Sequence, residues 1–414
     1  MSKSSIIVVA LNLDPHGGSE AGKGWWWATA LSRFFELHII TQKPDALACE
    51  AELAGAEGWT FHPTDYAMTT WAFPRGYVEY YRWQQEAIRK ALEIHAAHPA
   101  VRGLCHVILG SFRVLPRYDR LGLPYTLGPL GGGECAPAGY LSGREVPLQH
   151  RLSEWIRPLA NRAFALVPPL RRCLSGASVA LATSDETARV LKWMGAPNAV
   201  AVFPDAYDVP VNVSEVMAGR RDQLPAVGQT LRLLWQGRAL WWKCPDLALE
   251  VLAGAVRAGV RVELTMVGDW SGDMGAALKD RAARLGIADR VAFLPGMKRD
   301  AFLALQAEHH AFLATSLHDS GGIPLIEAQA RGLPCLTLGL GGNRVATCPT
   351  AGVPDGGDRP AEFVSRSVAC LKKWQETPET WLTDAEAALL HSTTFTNARL
   401  QDYVRNHVVP AFEA

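Results

Sequence analysis

The chain contains the stretch Ala311-Phe-Leu-Ala-Thr-Ser-Leu-His-Asp-Ser-Gly-Gly-Ile-Pro-Leu-Ile-Glu-Ala-Gln-Ala-Arg-Gly-Leu-Pro-Cys-Leu-Thr-Leu338. Its two apolar ends, 311–315 and 335–338, predict buried β-strands. Pro324 is tolerated only in the first turn of a helix, and Gly332-Leu-Pro334 is a signal that ends one. The stretch therefore predicts a strand, a helix and a second strand, which is the unit of a parallel sheet.

Two acids and two glycines surround the start of this predicted helix. Asp319 precedes the helix in a loop with Gly321 and Gly322, and Glu327 lies about one turn inside it. Backbone amides at a helix N-terminus bind anions, and a carboxylate accepts hydrogen bonds from sugar hydroxyls. These residues favour a nucleotide-sugar site, whereas a plain strand–helix–strand connection with two surface acids is the alternative.

A second candidate loop follows the apolar strand Leu231-Arg-Leu-Leu-Trp235. It carries Arg238 and, five positions later, Lys243. An arginine offers a planar fork of donors and a lysine offers a point charge, so together they suit a diphosphate leaving group. Without the acids, the two cations would fit an ordinary solvated loop.

The two loops together resemble the retaining glycosyltransferases of family 4, and the resemblance extends over nearly the whole chain. The matching residues, in the order in which that family has them, are the strand Ile6–Leu11 with Gly17-Gly18-Ser19-Glu20, then Gly237-Arg238 and Lys243, Val267-Gly268-Asp269, Phe293-Leu294-Pro295-Gly296, and Asp319 with Glu327. The resemblance implies an α/β fold of two doubly wound Rossmann-like domains facing across a cleft, the GT-B fold.

The same resemblance implies an enzyme and assigns roles to residues. The expected reaction transfers a hexosyl group, with retention, from a nucleoside diphosphate sugar to a hydroxyl of a glycan, lipid-linked or small-molecule acceptor. Glu327 is expected to bind ribose, Asp319 the transferred sugar, and Gly296-Met297 the base. The implied catalytic residues are Arg238, Lys243 and Asp319; the donor-binding residues are Gly17, Gly18, Gly296, Met297, Gly321, Gly322, Ile323 and Glu327; and the acceptor-side candidates are Ser19, Glu20, His106 and Glu134.

The chain departs from the usual family pattern in two places. The first acid is usually Glu, and Asp319 is one methylene shorter, which puts its reach to the sugar in doubt. Many members carry a His after an N-terminal strand, but the comparable loop 123–134 contains none. That loop, with the start of the chain at 18–25, is instead similar to a subset with Gly-Pro-Leu-Gly-Gly-Gly-Glu and Gly-Ser-Glu-Ala-Gly-X-Gly-Trp motifs.

Composition limits the partners and the compartment. A chain of 414 residues with 48% apolar residues can form two domains, and its 41 basic and 41 acidic residues argue against a nucleic-acid partner. The eight cysteines form no Cys-X-X-Cys pair, and neither a signal peptide nor a membrane-spanning run is found, so we expect a cytoplasmic protein with reduced thiols. No Asp-X-Asp motif and no histidine ligand spacing occur, so we expect no metal and no cofactor other than the nucleotide-sugar substrate.

Alternating apolar runs and helical stretches predict two parallel sheets. The expected domains are 1–205 on the acceptor side, a linker at 206–229, a nucleotide-sugar domain at 230–390, and a helix within 391–414 that crosses back to the first domain. The predicted strands are 6–11, 37–41, 105–110, 124–127 and 178–182 in the first half, and 231–235, 262–267, 291–294, 311–315 and 335–338 in the second.

Other enzyme classes fit parts of the pattern. The run from Gly17 to Lys23 nearly matches a phosphate-binding P-loop of an ATPase or kinase, but Gly24 stands where Ser or Thr should hold Mg²⁺. An NAD dehydrogenase is disfavoured because the Gly-X-Gly-X-X-Gly spacing is absent. A nucleotide-sugar epimerase of similar two-domain build stays open, and product analysis would distinguish it because it needs no acceptor.

The segment 140–172 mixes basic and apolar residues. Its arginines lie among Leu, Trp155, Ile156 and Phe164, a mixture that suits peripheral contact with an anionic membrane face. Such a contact would fit a lipid-linked acceptor. An amphipathic helix packed over the N-terminal domain is the alternative.

Overall fold

The structure is a computed structural model that describes residues 3–413, apart from 18, 67, 70–74, 109, 143, 145 and 208–210. The chain divides into two compact units, each built on one parallel sheet with helices. Unit 1 comprises Met1–Glu134, Pro158–Ala206 and Thr396–Ala414, and unit 2 comprises Cys135–Arg157 and Tyr207–Phe395.

The unit 1 sheet has seven strands in the order β3-β2-β1-β4-β5-β6-β7. The strand bounds are β1 Ser4–Ala10, β2 Phe35–Gln42, β3 Trp59–Thr64, β4 Val101–Ile108, β5 Tyr125–Leu130, β6 Val179–Ala182 and β7 Ala199–Ala201. Alternate residues of β1 belong to two different apolar clusters, Ile7 and Val9 to one, Ile6 and Val8 to the other. Both faces of the sheet are therefore covered, which explains the continuous apolar run in this strand.

The helices of unit 1 connect these strands and close the chain. They are α1 Ser19–Ser32, α2 Lys43–Leu53, α3 Arg75–Ala97, α6 Pro168–Ser175, α7 Asp185–Trp193, α16 Asn397–Tyr403, a π-helical turn Val404–Val408, and α17 Val409–Glu413. The last three belong to unit 1, where α16 packs against α1.

The unit 2 sheet has five strands in the order β10-β9-β8-β11-β12. Their bounds are β8 Leu231–Gln236, β9 Val262–Val267, β10 Val291–Leu294, β11 Ala311–Ala314 and β12 Cys335–Thr337. The connection reverses direction between β8 and β11, and ligands of doubly wound sheets bind at such a switch point, beyond the carboxyl ends of the strands. The two loops singled out in the sequence leave β8 and β11 at that edge.

The helices of unit 2 surround one large apolar core that includes Trp235, Trp374 and Trp381. They are α4 Ala138–Ser142, the first part of α5 Leu148–Ala163, α8 Val213–Asp222, α9 Pro245–Arg257, α10 Asp273–Arg284, α11 Arg299–Ala307, α12 Ile323–Gln329, α13 Gly342–Ala346, α14 Pro360–Glu376 and α15 Pro378–Ser392. None of the helices in the described ranges combines the length and hydropathy that a bilayer-spanning segment needs.

Two segments differ from the division drawn on the sequence. Residues 135–157 lie in unit 2, because the Tyr140 hydroxyl donates to Gly357 O at 3.1 Å and Arg144 pairs with Asp246. The segment expected as a linker contains α8, whose buried Arg220 donates to Arg331 O at 2.6 Å. Polar contacts that are distant in sequence thus assign both segments to unit 2.

Candidate functional site

The candidate site lies at the switch point of unit 2, where a turn after β8 meets the loop after β11. The Thr315 hydroxyl donates to Lys243 O at 2.7 Å, and Leu317 N donates to Trp242 O at 2.8 Å. The Trp235 indole in turn donates to the Thr315 hydroxyl at 2.9 Å. These bonds fix the two loops against each other before any substrate binds.

An ion pair joins the two loops at their exposed side. Lys243 Nζ lies 2.9 Å from both carboxylate oxygens of Asp319. The two side chains retain 22% and 30% of their exposure, so the pair is sheltered but can be reached from solvent. Arg238 is exposed two residues after the end of β8. The structure therefore brings the three predicted catalytic residues to one edge of the sheet, and it adds a Lys243–Asp319 contact that the sequence did not reveal.

The loop that contains Gly321 and Gly322 packs closely against α13. A Cβ atom at Gly322 would lie 2.2 Å from Ala346 Cβ, so only glycine fits this close approach. Gly342 N donates to Asp319 O at 2.7 Å, which fixes the backbone beside the predicted sugar-binding acid. Gly321, Gly322 and Ile323 thus lie at the start of α12, next to Asp319.

Glu327 is buried within α12 and is held by an arginine that the sequence analysis missed. Its Oε1 accepts from Arg299 Nε at 2.7 Å. Arg299 is the first residue of α11 and follows the loop of Gly296 and Met297. A cation in the first turn of a helix opposes the helix dipole, so an arginine at this position indicates a specific acidic partner. The pair ties the predicted base-binding loop to the predicted ribose-binding acid.

A second missed contact places a buried carboxylate next to the loop that follows β11. His318 Nε2 lies 2.9 Å from Glu154 Oε2, and both residues belong to unit 2. Burial raises the pKa of the Glu154 carboxyl, whereas His318 and Arg157 lower it. The lowering by these two neighbours is the larger effect, so the pKa lies below its ordinary value. His318 also meets the Trp241 ring edge-on. The residue before Asp319 is therefore held from two sides.

The N-terminal candidates of unit 1 lie around the start of α1. Gly17 N donates to Asp14 O at 3.2 Å. Ser19 and Glu20 open α1, and the Glu20 carboxylate lies 3.8 Å from Lys23 Nζ. Gly18 lies outside the described residues. The predicted donor and acceptor roles of these residues stay predictions.

The near match to a P-loop has a structural explanation in unit 1. Lys23 is buried, and its Nζ lies 3.4 Å from the buried carboxylate of Asp205. A Cβ atom at Gly24 would lie 2.3 Å from Asn12 O, so a Ser or Thr cannot stand there without moving the backbone. Lys23 and Gly24 both take part in packing α1 against its neighbours. The P-loop interpretation therefore lacks a lysine that faces a phosphate and a hydroxyl that could hold Mg²⁺.

His106 and Glu134 lie in the interior of unit 1. His106, on β4, has its Nδ1 2.9 Å from the hydroxyl of buried Tyr118. Glu134 follows β5, and its Oε1 accepts from Ser184 Oγ at 2.7 Å and from Thr187 Oγ1 at 2.9 Å. Ser184 is the N-cap of α7, so Glu134 joins the loop after β5 to the start of that helix. Both side chains take part in internal hydrogen bonds.

No group of three His, Cys, Asp or Glu side chains in the described ranges has the arrangement of a metal site.

Part of unit 2 is similar to a family of glycosyltransferases. Residues 220–353 match the family model described as glycosyl transferases group 1. The matched range contains Arg238, Lys243, Asp319 and Glu327. A D-inositol 3-phosphate glycosyltransferase of Geodermatophilus obscurus is 31% identical over 204 residues, which cover 46% of this chain and 44% of that protein. The chain therefore spans less than half the length of this relative.

Solved structures match over the full length at low sequence identity. Sucrose-phosphate synthase of Thermosynechococcus elongatus has a TM-score of 0.64 at 14% identity, with 99% of this chain and 100% of that chain covered. HepE of Anabaena, solved with UDP and glucose, has a TM-score of 0.60 at 14% identity, with 98% and 100% covered. The predicted GT-B fold class is confirmed. The match over residues 220–353 agrees with the predicted enzyme class, glycosyltransferase.

Proposed function

We propose that the chain is a retaining hexosyltransferase of glycosyltransferase family 4 that uses a nucleoside diphosphate sugar as donor. The observation that carries the proposal is the Lys243–Asp319 pair at the switch point of unit 2, where exposed Arg238 follows β8 at the same edge of the sheet. At this point Lys243, the cation proposed to bind the diphosphate, contacts Asp319, the acid proposed to bind the sugar. A relative named D-inositol 3-phosphate glycosyltransferase and a neighbour that binds UDP and glucose support this assignment.

Arg238 and Lys243 stabilise the negative charge that develops on the departing diphosphate. Donors that are fixed in place before the reaction typically contribute several kcal/mol to such a step. In the free enzyme Asp319 balances the charge of Lys243, and on donor binding Lys243 is shared between the carboxylate and the diphosphate. The two protein cations take the place of a bridging metal, so no metal is required.

The nucleotide half of the donor lies between α11 and α12. Glu327 accepts from the ribose hydroxyls, and Arg299 fixes the orientation of its carboxylate. The loop of Gly296 and Met297 contacts the base, and the amides around Gly321 face the diphosphate and sugar. Asp319 is the remaining acid of the loop and accepts from hydroxyls of the transferred sugar.

The acceptor is a hydroxyl of a glycan, of a small molecule or of a lipid-linked sugar. A lipid-linked acceptor would require the enzyme to work at a membrane surface, with 140–172 as the contact and the cytoplasm as the compartment. In this proposal Gly17 serves the donor phosphates, and Glu20 and Glu134 serve the acceptor.

The test starts with the donor. A thermal-shift panel of UDP, GDP, ADP and their sugars identifies the nucleotide, and transfer is then measured with and without excess EDTA. Arg238→Ala and Lys243→Ala should each lower turnover about a hundredfold or more, since roughly 3 kcal/mol of transition-state stabilisation is lost. Arg284→Ala, an exposed arginine on α10, is the matched control and should be neutral.

Three outcomes would contradict the proposal. Near-normal rates in Arg238→Ala or Lys243→Ala would remove that residue from the site. Nucleoside triphosphate hydrolysis that depends on Lys23 and Mg²⁺ would establish the P-loop enzyme instead. Conversion of the donor into its epimer without an acceptor would establish the epimerase.

A further inference from the structure

Helix α5 exposes an apolar stripe. Leu148, Leu152, Trp155, Ile156 and Leu159 recur at the spacing of one helical face, and all five are exposed. Leu148 and Trp155 each retain 78% of their exposure, and Leu159 retains 68%. Contiguous exposed apolar side chains of this size indicate a surface that binds another apolar body.

The stripe that α5 turns inward is polar. His150, Glu154, Arg157 and Asn161 follow the same helical spacing; Glu154 and Asn161 are buried, and the other two are half-buried. A helix on the surface of a water-soluble domain normally buries its apolar face and exposes its polar one. Helix α5 does the reverse.

Specific contacts keep the helix in this orientation. In unit 2, Glu154 meets His318 at 2.9 Å and accepts from Arg157 Nε at 3.1 Å. In unit 1, Asn161 accepts from Arg113 Nη2 at 2.7 Å. Rolling the helix over to bury its leucines would break these contacts, so the apolar stripe stays outward.

The exposed charged side chains of the segment 148–175 are of one sign. Arg151 and Arg162 on α5, and Arg171 and Arg172 on α6, are exposed, and the one acid between Leu148 and Ser175 is the buried Glu154. The chain as a whole has equal numbers of acidic and basic residues. Arg144 does not contribute, because it pairs with Asp246. The exposed part of this segment is therefore apolar and cationic, which is complementary to an anionic lipid surface.

We propose that α5 docks in the interface of an anionic lipid bilayer. Leu148, Leu152, Trp155 and Leu159 enter the boundary between head groups and acyl chains, and the arginines bind lipid phosphates. Arg151 and Arg162 lie within the helix itself and so stay at the depth of the head groups. This inference deepens the proposed function, since a lipid-linked acceptor would be met at such a surface.

The test is co-sedimentation of the full chain with vesicles. One set contains 30% phosphatidylglycerol in phosphatidylcholine, and the other contains phosphatidylcholine alone. The triple variant Leu148→Ser, Leu152→Ser and Trp155→Ser should bind the anionic vesicles at least about a hundredfold more weakly. Arg151→Gln and Arg162→Gln should each lower binding roughly fivefold and reduce its dependence on salt.

The matched control replaces three exposed apolar side chains that do not belong to α5. Leu47→Ser, Trp193→Ser and Val227→Ser removes a similar apolar area, including a Trp with 65% exposure, and should leave vesicle binding unchanged. Circular dichroism and melting temperature confirm that both triple variants fold.

Three results would overturn the proposal. The chain could bind both vesicle sets equally, or the control variant could lose as much vesicle binding as the α5 triple variant. The third is a dimer that dissociates in the α5 triple variant, with no binding to vesicles. The last would make a second copy of the chain the occupant of the stripe. Vesicle binding needs neither donor nor acceptor. A chain that binds vesicles without transferring sugar contradicts the proposed function alone, and one that transfers sugar without binding vesicles contradicts the docking alone.

Discussion

Replacing Asp319 by Asn should change nucleotide binding and turnover in opposite directions. Both Asp319 oxygens lie 2.9 Å from Lys243 Nζ. A diphosphate that binds Lys243 must share or displace this carboxylate, so Asp319 opposes binding of the free nucleotide diphosphate. Asn keeps the size of the side chain and removes its charge, which leaves the full charge of Lys243 to the diphosphate.

The size of the gain follows from the exposure of the pair. Fully exposed ion pairs contribute about 0.2–1 kcal/mol. With 22% and 30% of side-chain exposure left, Lys243 and Asp319 belong near the top of that range. About 1 kcal/mol corresponds to roughly fivefold tighter binding of UDP. Turnover should nevertheless fall about tenfold or more, because the carboxylate proposed to hold the transferred sugar is lost.

Calorimetry with UDP and initial rates with UDP-glucose measure both effects on one preparation, with another nucleotide substituted if the thermal-shift panel selects it. Asp269→Asn is the control, because it removes one negative charge from the same edge of the sheet. Asp269 is exposed and bonded to Ser271. Unchanged UDP affinity in Asp319→Asn would refute the competition for Lys243. A loss of affinity as large as that of Glu327→Gln would place Asp319 in the nucleotide subsite.

Three further outcomes are expected. Glu327→Gln should weaken UDP and the whole donor alike, and Arg299→Ala should weaken both by a smaller factor in the same calorimetric titrations, because it disorders the acid without removing it; an effect on turnover alone would contradict the ribose assignment. Glu134→Gln should lower stability by about 2 kcal/mol in urea unfolding and leave UDP affinity unchanged, because a buried acceptor of several hydroxyls loses its charge. Burial and, to a smaller extent, the neighbouring His38 and His98 lower the pKa of His62 in the folded chain to about 4. The unfolded chain therefore takes up the proton first, and stability should fall as the pH drops from about 6.5 to about 4. His62→Asn should make this part of the urea midpoint profile less steep, and an unaltered profile would exclude His62 as a contributor.

The unit 2 site was predictable because its residues follow strands that the sequence marks clearly. Continuous apolar runs at β8 and β11, each followed by Gly and charged residues, predicted parallel strands ending at one edge. Pro324 fixed the start of α12 between Asp319 and Glu327. These signals are local, and the topology of a doubly wound sheet supplies the rest of the arrangement.

Two strands escaped sequence analysis because both lack a strong apolar pattern. Strand β3 contains His62 and Pro63 at one edge of its sheet, and β7 at the other edge has only three residues. Edge strands are commonly short and interrupted by polar residues or proline, so alternation and length give little signal there.

Pairs between distant loops are the part of the site that the sequence could not supply. Lys243 and Asp319 were both predicted as site residues, but the sequence did not show that they contact each other. Arg299 carried one usable signal, its unfavourable position in the first turn of α11. Glu154 carried none, because an acid in an amphipathic segment is normally a solvated one. Which loop meets which helix is determined by packing over the whole unit.

The orientation of α5 depends in part on one such pair, Glu154 and His318. The amphipathic pattern predicts that the helix has an apolar and a polar face, but it contains no information on which face turns inward. Burying Glu154 unpaired would cost several kcal/mol, so its burial depends on Arg157 and on His318, the residue before Asp319 in the loop after β11. His318 therefore contributes, together with Arg157 and the Arg113–Asn161 contact, to keeping the leucines and Trp155 of α5 on the surface. His318 thereby connects the proposed lipid-docking face of α5 with the loop of the proposed sugar-transfer site.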